Sequence, residues 1–241
     1  MAKTHVPSVF SLLALALIGT LPSSAAQCRN KTDEFIGDVK LTKYDKEALL
    51  RGHNNYRQQT ASGRAGREYG NTQPAAKNML ELTWDDEAAQ LASSWARTCE
   101  YGYNKPTDKQ GQQLGQNIIS RMSTEPKPVT ASFDIWMKEM MMKWFDQVNR
   151  YEFGSGLSSS TRHYTRMVWA KTSKLGCGYS YYTTHFRDDI WQVGYLVCNY
   201  KPSGNIKGKV PYEKGDGNCE TDKFRNSSKY MYLCVEKQGN W

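Results

Sequence analysis

Six cysteines, Cys28, Cys99, Cys177, Cys198, Cys219 and Cys234, constrain this 241-residue chain more than any other feature. What they mean depends on the redox compartment, and the N-terminus supplies that context. Lys3 is followed by an apolar run from Val9 to Ile18 and then by "TLPSSAAQ", where Ser24 and Ala26 leave small residues before a cut ahead of Gln27. Residues 1–26 therefore read as a secretory signal peptide. The run is too short for a permanent membrane span, and no later stretch approaches roughly 20 uncharged apolar residues. The mature chain is expected outside the cell and not membrane-spanning. There an even number of cysteines reads as three disulfides, with a zinc framework the minor alternative because no C-x-x-C spacing occurs. Two sequons, Asn30-Lys31-Thr32 and Asn226-Ser227-Ser228, are expected to be surface glycosylation sites.

The mature length suits one domain with a tail, able to bury about two thirds of its unfolded surface, so the disulfides reinforce a core and do not replace one. A net charge of +8 and a pI near 9.1 favour weak electrostatic contacts with acidic glycans, phospholipid head groups or nucleic acid, or simply solubility. Because the basic residues are scattered among 24 acids, no nucleic-acid partner is expected.

Helical periodicity dominates the first half. In "LTKYDKEALLRGHNNYRQ", Thr42 and Asp45 have capping-box spacing and Leu41, Ala48, Leu49, His53 and Tyr56 fall close to one stripe. "LTWDDEAAQLASSWARTC" places Trp84, Ala88, Leu91, Trp95 and Cys99 at steps of three and four, with acids in the first turn where the helix dipole favours them. Between these two segments, the Gly- and Ser-rich stretch ending at Pro74 reads as a long exposed loop. In "FDIWMKEMMMKWFDQVNRYEF" the stripe is Phe133, Met137, Met140, Trp144, Val148 and Tyr151, widened by Ile135, Met141 and Met142. Such a face is core in most proteins, although Met-rich faces also line adaptable apolar pockets.

After "FGSGLSSST" the period changes to two. "TRMVWA", "LGCGYSYY" and "IWQVGYLVCNY" read as three strands, the last two joined through "TTHFRDD", so an antiparallel sheet follows the helices. Cys177 and Cys198 then lie on neighbouring strands, as natural disulfide partners. From Lys201 onward the chain reads as an irregular tail closed by Cys219 and Cys234.

Taken together, "HNNYR" (53–57), "GQNI" (115–118), "HYTRMVW" (163–169) and "YLVCNYKPSGN" (195–205) resemble the CAP superfamily of cysteine-rich secretory proteins, antigen-five venom allergens and pathogenesis-related proteins. The stretch "QPAAKNMLELTWDDEAAQLASSWA" is similar to the arthropod antigen-five branch. The resemblance implies an α+β fold, a three-layer α-β-α sandwich with an antiparallel central sheet. It also implies a CAP domain over 27–205 and a stapled tail over 206–241. It pairs Cys28 with Cys99 and Cys177 with Cys198, which leaves Cys219 for Cys234.

Many members of that superfamily carry two histidines and two glutamates in a central cleft, sometimes with a divalent metal. His163 matches one histidine, but Tyr103 stands at the other, and Gln116 and Gln147 stand at the glutamates. An amide offers neither a cation's charge partner nor a proton acceptor at ordinary pH. His163 thus has no carboxylate to orient it as a base, and it is expected to hydrogen-bond Gln116, Gln147 or Tyr103 as the retained scaffold of a decayed site, with no metal and no cofactor. His53 is expected in the core, His185 at a solvated hairpin tip, and Ser158 to Ser160 in an ordinary loop.

The expectation is a secreted, non-enzymatic binding protein for a hydrophobic small molecule such as a fatty acid, eicosanoid or sterol. The candidate contacts are Met137, Met140, Met141 and Trp144 on the third helix, with Tyr179, Tyr181, Phe186 and Trp191 on the strands. The alternatives are a receptor- or glycan-binding effector, hinted at by Lys214-Gly215-Asp216 beside Cys219, and a metal-dependent hydrolase or redox protein, disfavoured by the missing carboxylates.

Overall fold

The computed structural model describes Met1, residues 28–219, Thr221 and residues 223–237; the signal peptide expected over 1–26 lies outside them apart from Met1. Helix α1 (Lys43–Ala61) begins where the sequence places it. The Thr42 hydroxyl accepts from the Asp45 N–H at 3.3 Å while the Asp45 carboxylate accepts from the Thr42 N–H at 2.7 Å, so both orphan donors are used. Asp85 caps α2 (Asp86–Ala96) by accepting from the Ala88 N–H at 2.8 Å. Helix α3 (Val129–Phe145) tightens into a 3₁₀ turn over Asp146–Arg150, and α4 (Arg162–Met167) is short.

The sheet is built from β1 (Glu34–Asp38), β3 (Gly115–Ser123), β4 (Lys174–Phe186) and β5 (Asp189–Lys201) in the order β1-β4-β5-β3, all antiparallel, with β2 (Thr83–Trp84) added parallel to the start of β4. Helices α1, α3 and α4 bury Leu49, Met137, Trp144 and Tyr164 with Tyr179 and Leu196 on one face. On the other face, α2 buries Ala92 and Trp95 against Tyr182, Tyr195 and Val197. The molecule is an α+β, three-layer α-β-α sandwich. Close approach of α2 requires glycine on the sheet: a Cβ at Gly176 would lie 2.1 Å from the Ala89 nitrogen, and one at Gly178 2.4 Å from Ser93 Cα.

Three disulfides join Cys28 to Cys99, Cys177 to Cys198 and Cys219 to Cys234. Cys177 and Cys198 are direct cross-strand partners. The last bond closes a small two-stranded unit, β6 (Phe224–Asn226) with β7 (Cys234–Glu236), which does not hang free: Leu233 and Tyr212 enter the main core, and Leu80 bridges to Cys234.

Several local expectations are corrected. "TRMVWA" is not a strand; Arg162–Met167 is helical because Tyr164, Thr165 and Met167 all find buried partners, which an alternating strand would deny them. Trp84 belongs to β2, and Cys99 lies beyond α2 at φ 57°, although it is buried and bonded to Cys28. Ile135 and Met142 do not widen the buried stripe of α3; both are exposed. The segment after α1 is not simply an exposed loop, because Ala65, Gln73 and Ala76 are buried and Gln73 donates to the Tyr151 carbonyl. Strands β4 and β5 run on through most of "TTHFRDD", leaving Arg187 and Asp188 as the turn, with His185 exposed near the tip. Strands β1 and β3 have no counterpart in the sequence reading.

Candidate functional site

The irregular segment between α2 and β3, the second residue of α4 and the 3₁₀ turn after α3 bring Tyr103, His163 and Gln147 together. The oxygen of Gln147 accepts from the His163 N–H at 2.9 Å and from the Tyr164 N–H at 3.4 Å. An amide held by its oxygen presents its NH₂ group to the ring, so Gln147 Nε2 donates to His163 Nδ1 at 2.7 Å. The ring proton is thereby placed on Nε2, which donates to Tyr103 Oη at 2.7 Å. Protonating Nδ1 would set two donors against each other. Burial, with smaller contributions from the Arg162 and Arg166 charges, holds His163 down at about 4.

Gln116 is not part of this chain. Its NH₂ group donates to Asn104 Oδ1 at 2.8 Å and Asn199 Oδ1 at 3.0 Å, and its oxygen accepts from the Asn104 N–H at 3.3 Å. The expected partners of His163 thus reduce to Tyr103 and Gln147. A divalent metal does not fit these residues: the one imidazole has both nitrogens engaged, and its neighbours are amides and a phenol. Among the described residues no cluster of three or more His, Cys, Asp or Glu side chains could hold a metal ion.

The apolar candidates divide differently from expectation. Met137, Met140, Met141 and Trp144 are packed core. The Met141 methyl group lies 2.6 Å from where a Cβ on Gly52 would stand, so α1 and α3 are in contact and leave no channel at that point. The Trp144 indole N–H donates to the Ile118 carbonyl at 3.1 Å. Tyr179 and Tyr181 are equally buried, packed against Phe133 and Trp136, with their hydroxyls bonded to Ser132 and to the Lys127 N–H. Phe186 is 54% exposed under the Arg187 guanidinium, and Trp191 is half-buried.

A large concavity lies elsewhere. A groove of about 1000 Å³ runs between the start of α1, the outer face of α2 and the end of β1, lined by Val39, Leu41, Trp84 and Ala89 with Lys46 and Arg97. Lys46 pairs with Asp86 at 2.8 Å and lies 5.7 Å from the Trp84 ring centre, and Arg97 pairs with Asp38. None of these residues stood out in the sequence as a ligand contact, because a groove wall drawn from three elements leaves no periodic signal.

The sequence reading also passed over Arg57. It is wholly buried and donates to the Met167, Trp169, Ala170 and Thr172 carbonyls at the end of α4 and beyond it, and to the Leu80 carbonyl before β2, tying the two segments together. Desolvation lowers it to about 9. His53, as expected, is core: Nδ1–H donates to the Leu49 carbonyl at 2.8 Å, which leaves Nε2 to accept from Tyr200 at 2.9 Å.

The remaining candidates lie on the surface or near it. Asn30 is exposed, whereas Asn226 is half-buried with its oxygen accepting from the Cys219 N–H at 2.9 Å. Lys214, Gly215 and Asp216 are exposed but held flat: Lys214 bridges to Ala76 and covers the Phe153 ring, and the Gly215 N–H donates to the Ala75 carbonyl.

Comparison with known proteins agrees with this geometry. The chain is 52% identical to a salivary antigen-5 of Dipetalogaster maximus over 99% of its length and 93% of the relative's. It is 46% identical to a salivary antigen-5 of Triatoma infestans, covering 99% of this chain and 98% of that one. A crystal structure of NaASP2 with Zn²⁺ superposes with a TM-score of 0.61 at 27% identity, over 86% of this chain and all of that one. The model of the cysteine-rich secretory protein family matches residues 50–200. With the sandwich and its three disulfides in place, the chain belongs to the CAP family of cysteine-rich secretory proteins.

Proposed function

We propose that this chain is a secreted antigen-five-type protein that works by binding and not by catalysis, and that its ligand is a hydrophobic small molecule such as a fatty acid, eicosanoid or sterol. Secretion is supported by the leader pattern in residues 1–26 and by salivary relatives; no helix among the described residues is long and apolar enough to cross a membrane. The non-enzymatic reading is supported by the neutral, doubly bonded His163 with amides in place of carboxylates.

The observation that carries the ligand assignment is the groove beside α2. Its volume matches ordinary small-molecule sites and Val39, Leu41 and Ala89 give it apolar lining, while Lys46 and Arg97 at its rim would take an acidic head by exchanging their partners Asp86 and Asp38. The buried methionines of α3 are not among its lining residues.

Fatty-acid affinity measured against chain length, on wild type and on Ala89→Trp, tests this. Each buried methylene contributes about 0.8 kcal/mol, so affinity should climb until the groove is full, and the tryptophan should occupy that space and abolish the climb. Saturable binding that Ala89→Trp leaves intact would place the lipid elsewhere, and no saturable binding at any length would remove the lipid. A receptor contact through Lys214-Gly215-Asp216 has less support, because the tripeptide is pinned along the surface and does not project from it.

A further inference from the structure

Beside His163 stand two groups with a proton to give, the Tyr103 hydroxyl and the Arg162 guanidinium. Since Gln147 fixes the imidazole as the Nε2–H tautomer, Tyr103 Oη is an acceptor toward His163, and the phenol's own proton must point away from the ring. Among the described residues it has no acceptor within hydrogen-bond distance. Tyr103 is 38% exposed, so that proton faces the cleft mouth.

Arg162 stands over the same phenol, its guanidinium carbon 4.5 Å from the ring centre. Its Nε is buried without a hydrogen-bond partner, and none of the ion pairs among the described residues includes Arg162 or Arg166. Arg166, one turn further along α4, spends its donors on the Gln116 and Ser203 carbonyls at 2.7 and 3.3 Å, so its charge is satisfied by dipoles and not neutralised. Two cations and an outward O–H therefore meet where Gln116 and Gln147 supply no negative charge.

We propose that this cleft is an oxyanion site, in which a carboxylate, sulfate or phosphate group accepts from the Tyr103 hydroxyl and the Arg162 guanidinium. The preference follows from charge and from hydrogen-bond direction together. A cation would meet two arginines and a donor, whereas an oxyanion meets complementary groups on each count. The site is independent of the groove beside α2, which lies against α1, β1 and α2 and shares no residue with it.

The test is a titration of the mature protein with sulfate, phosphate and acetate at ionic strength held constant with chloride. It is followed by calorimetry and by the ¹⁵N and proton signals of the His163 ring. Wild type should bind one oxyanion saturably and shift the Nε2–H signal, because the Tyr103 hydroxyl that receives that proton becomes polarised. Arg162→Gln should weaken binding about tenfold and Tyr103→Phe by several-fold, the range for a charge-assisted hydrogen bond, while Lys214→Gln should change nothing. A sulfated disaccharide binding more tightly than sulfate would identify a glycan source, and hexanoate binding more tightly than acetate would identify a lipid head group; both support the site. Affinity that survives Arg162→Gln and Tyr103→Phe, equal loss in Lys214→Gln, or an unmoved His163 signal in the wild type would overturn it.

Discussion

Gln147 governs the state of His163 from outside the ring. With glutamate there, the carboxylate could keep the two backbone N–H groups and also accept from Nδ1, so the tautomer would reverse and the imidazolium would be favoured. Gln147→Glu should raise His163 from about 4 by about 1–3 units, read by NMR titration of the ring. An unchanged titration would mean that burial alone sets the value. Arg57 makes a second claim at this scale. Its planar fork reaches five carbonyls, which the three donors of an ammonium cannot replace. Arg57→Lys should destabilise the fold by about 3 kcal/mol or more, measured by denaturant unfolding, despite conserving charge. That Tyr103, Gln116 and Gln147 carry no carboxylate was legible in the sequence, because residue type alone fixes it. Which amide meets His163 was not, because that depends on how β3 and the turn after α3 aim their side chains.

Helix α3 shows how an apolar stripe can be read correctly and assigned wrongly. The spacing of Phe133, Met137, Met140 and Trp144 identifies the buried face, but burial against α1 and burial against a ligand leave the same pattern. Gly52 decides between them, since its missing side chain lets Met141 close the space between the helices. Met141→Lys should therefore put an unpaired charge into the core and cost about 4 kcal/mol, seen as a large fall in thermal midpoint with or without lipid. A variant that keeps its midpoint and loses only ligand affinity would restore the channel. Helix α4 went unrecognised for a related reason. Threonine, valine and aromatic residues favour strands locally, and the burial of Tyr164, Thr165 and Met167, with Arg57 bonded to the Met167 carbonyl, favours the helix.

For the whole molecule, acid should be the damaging direction. His53 and His163 both stand at about 4 when folded against 6.5 as the ordinary value, so the unfolded chain binds more protons between those limits. Their full stabilisation is present above pH 6.5 and is lost as pH falls toward 4, at about 1.4 kcal/mol per pH unit for each ring. Unfolding free energy measured from pH 7.5 to 4.5 should show this slope, and His53→Gln should remove roughly half of it. A flat profile would contradict the buried neutral histidines. The sequence by itself determined the capping of α1, the pairing of β4 with β5 and the motifs that carry the CAP resemblance, since each is carried by residue type at a fixed spacing, and that resemblance implied the sandwich and the disulfide pairing. Only the tertiary structure decided where the open groove lies, that the methionines are core, that Gln116 turns away from His163, and that Arg162 stands over the Tyr103 ring. Those outcomes depend on distances between elements far apart in the chain, and neither periodicity nor composition records such distances.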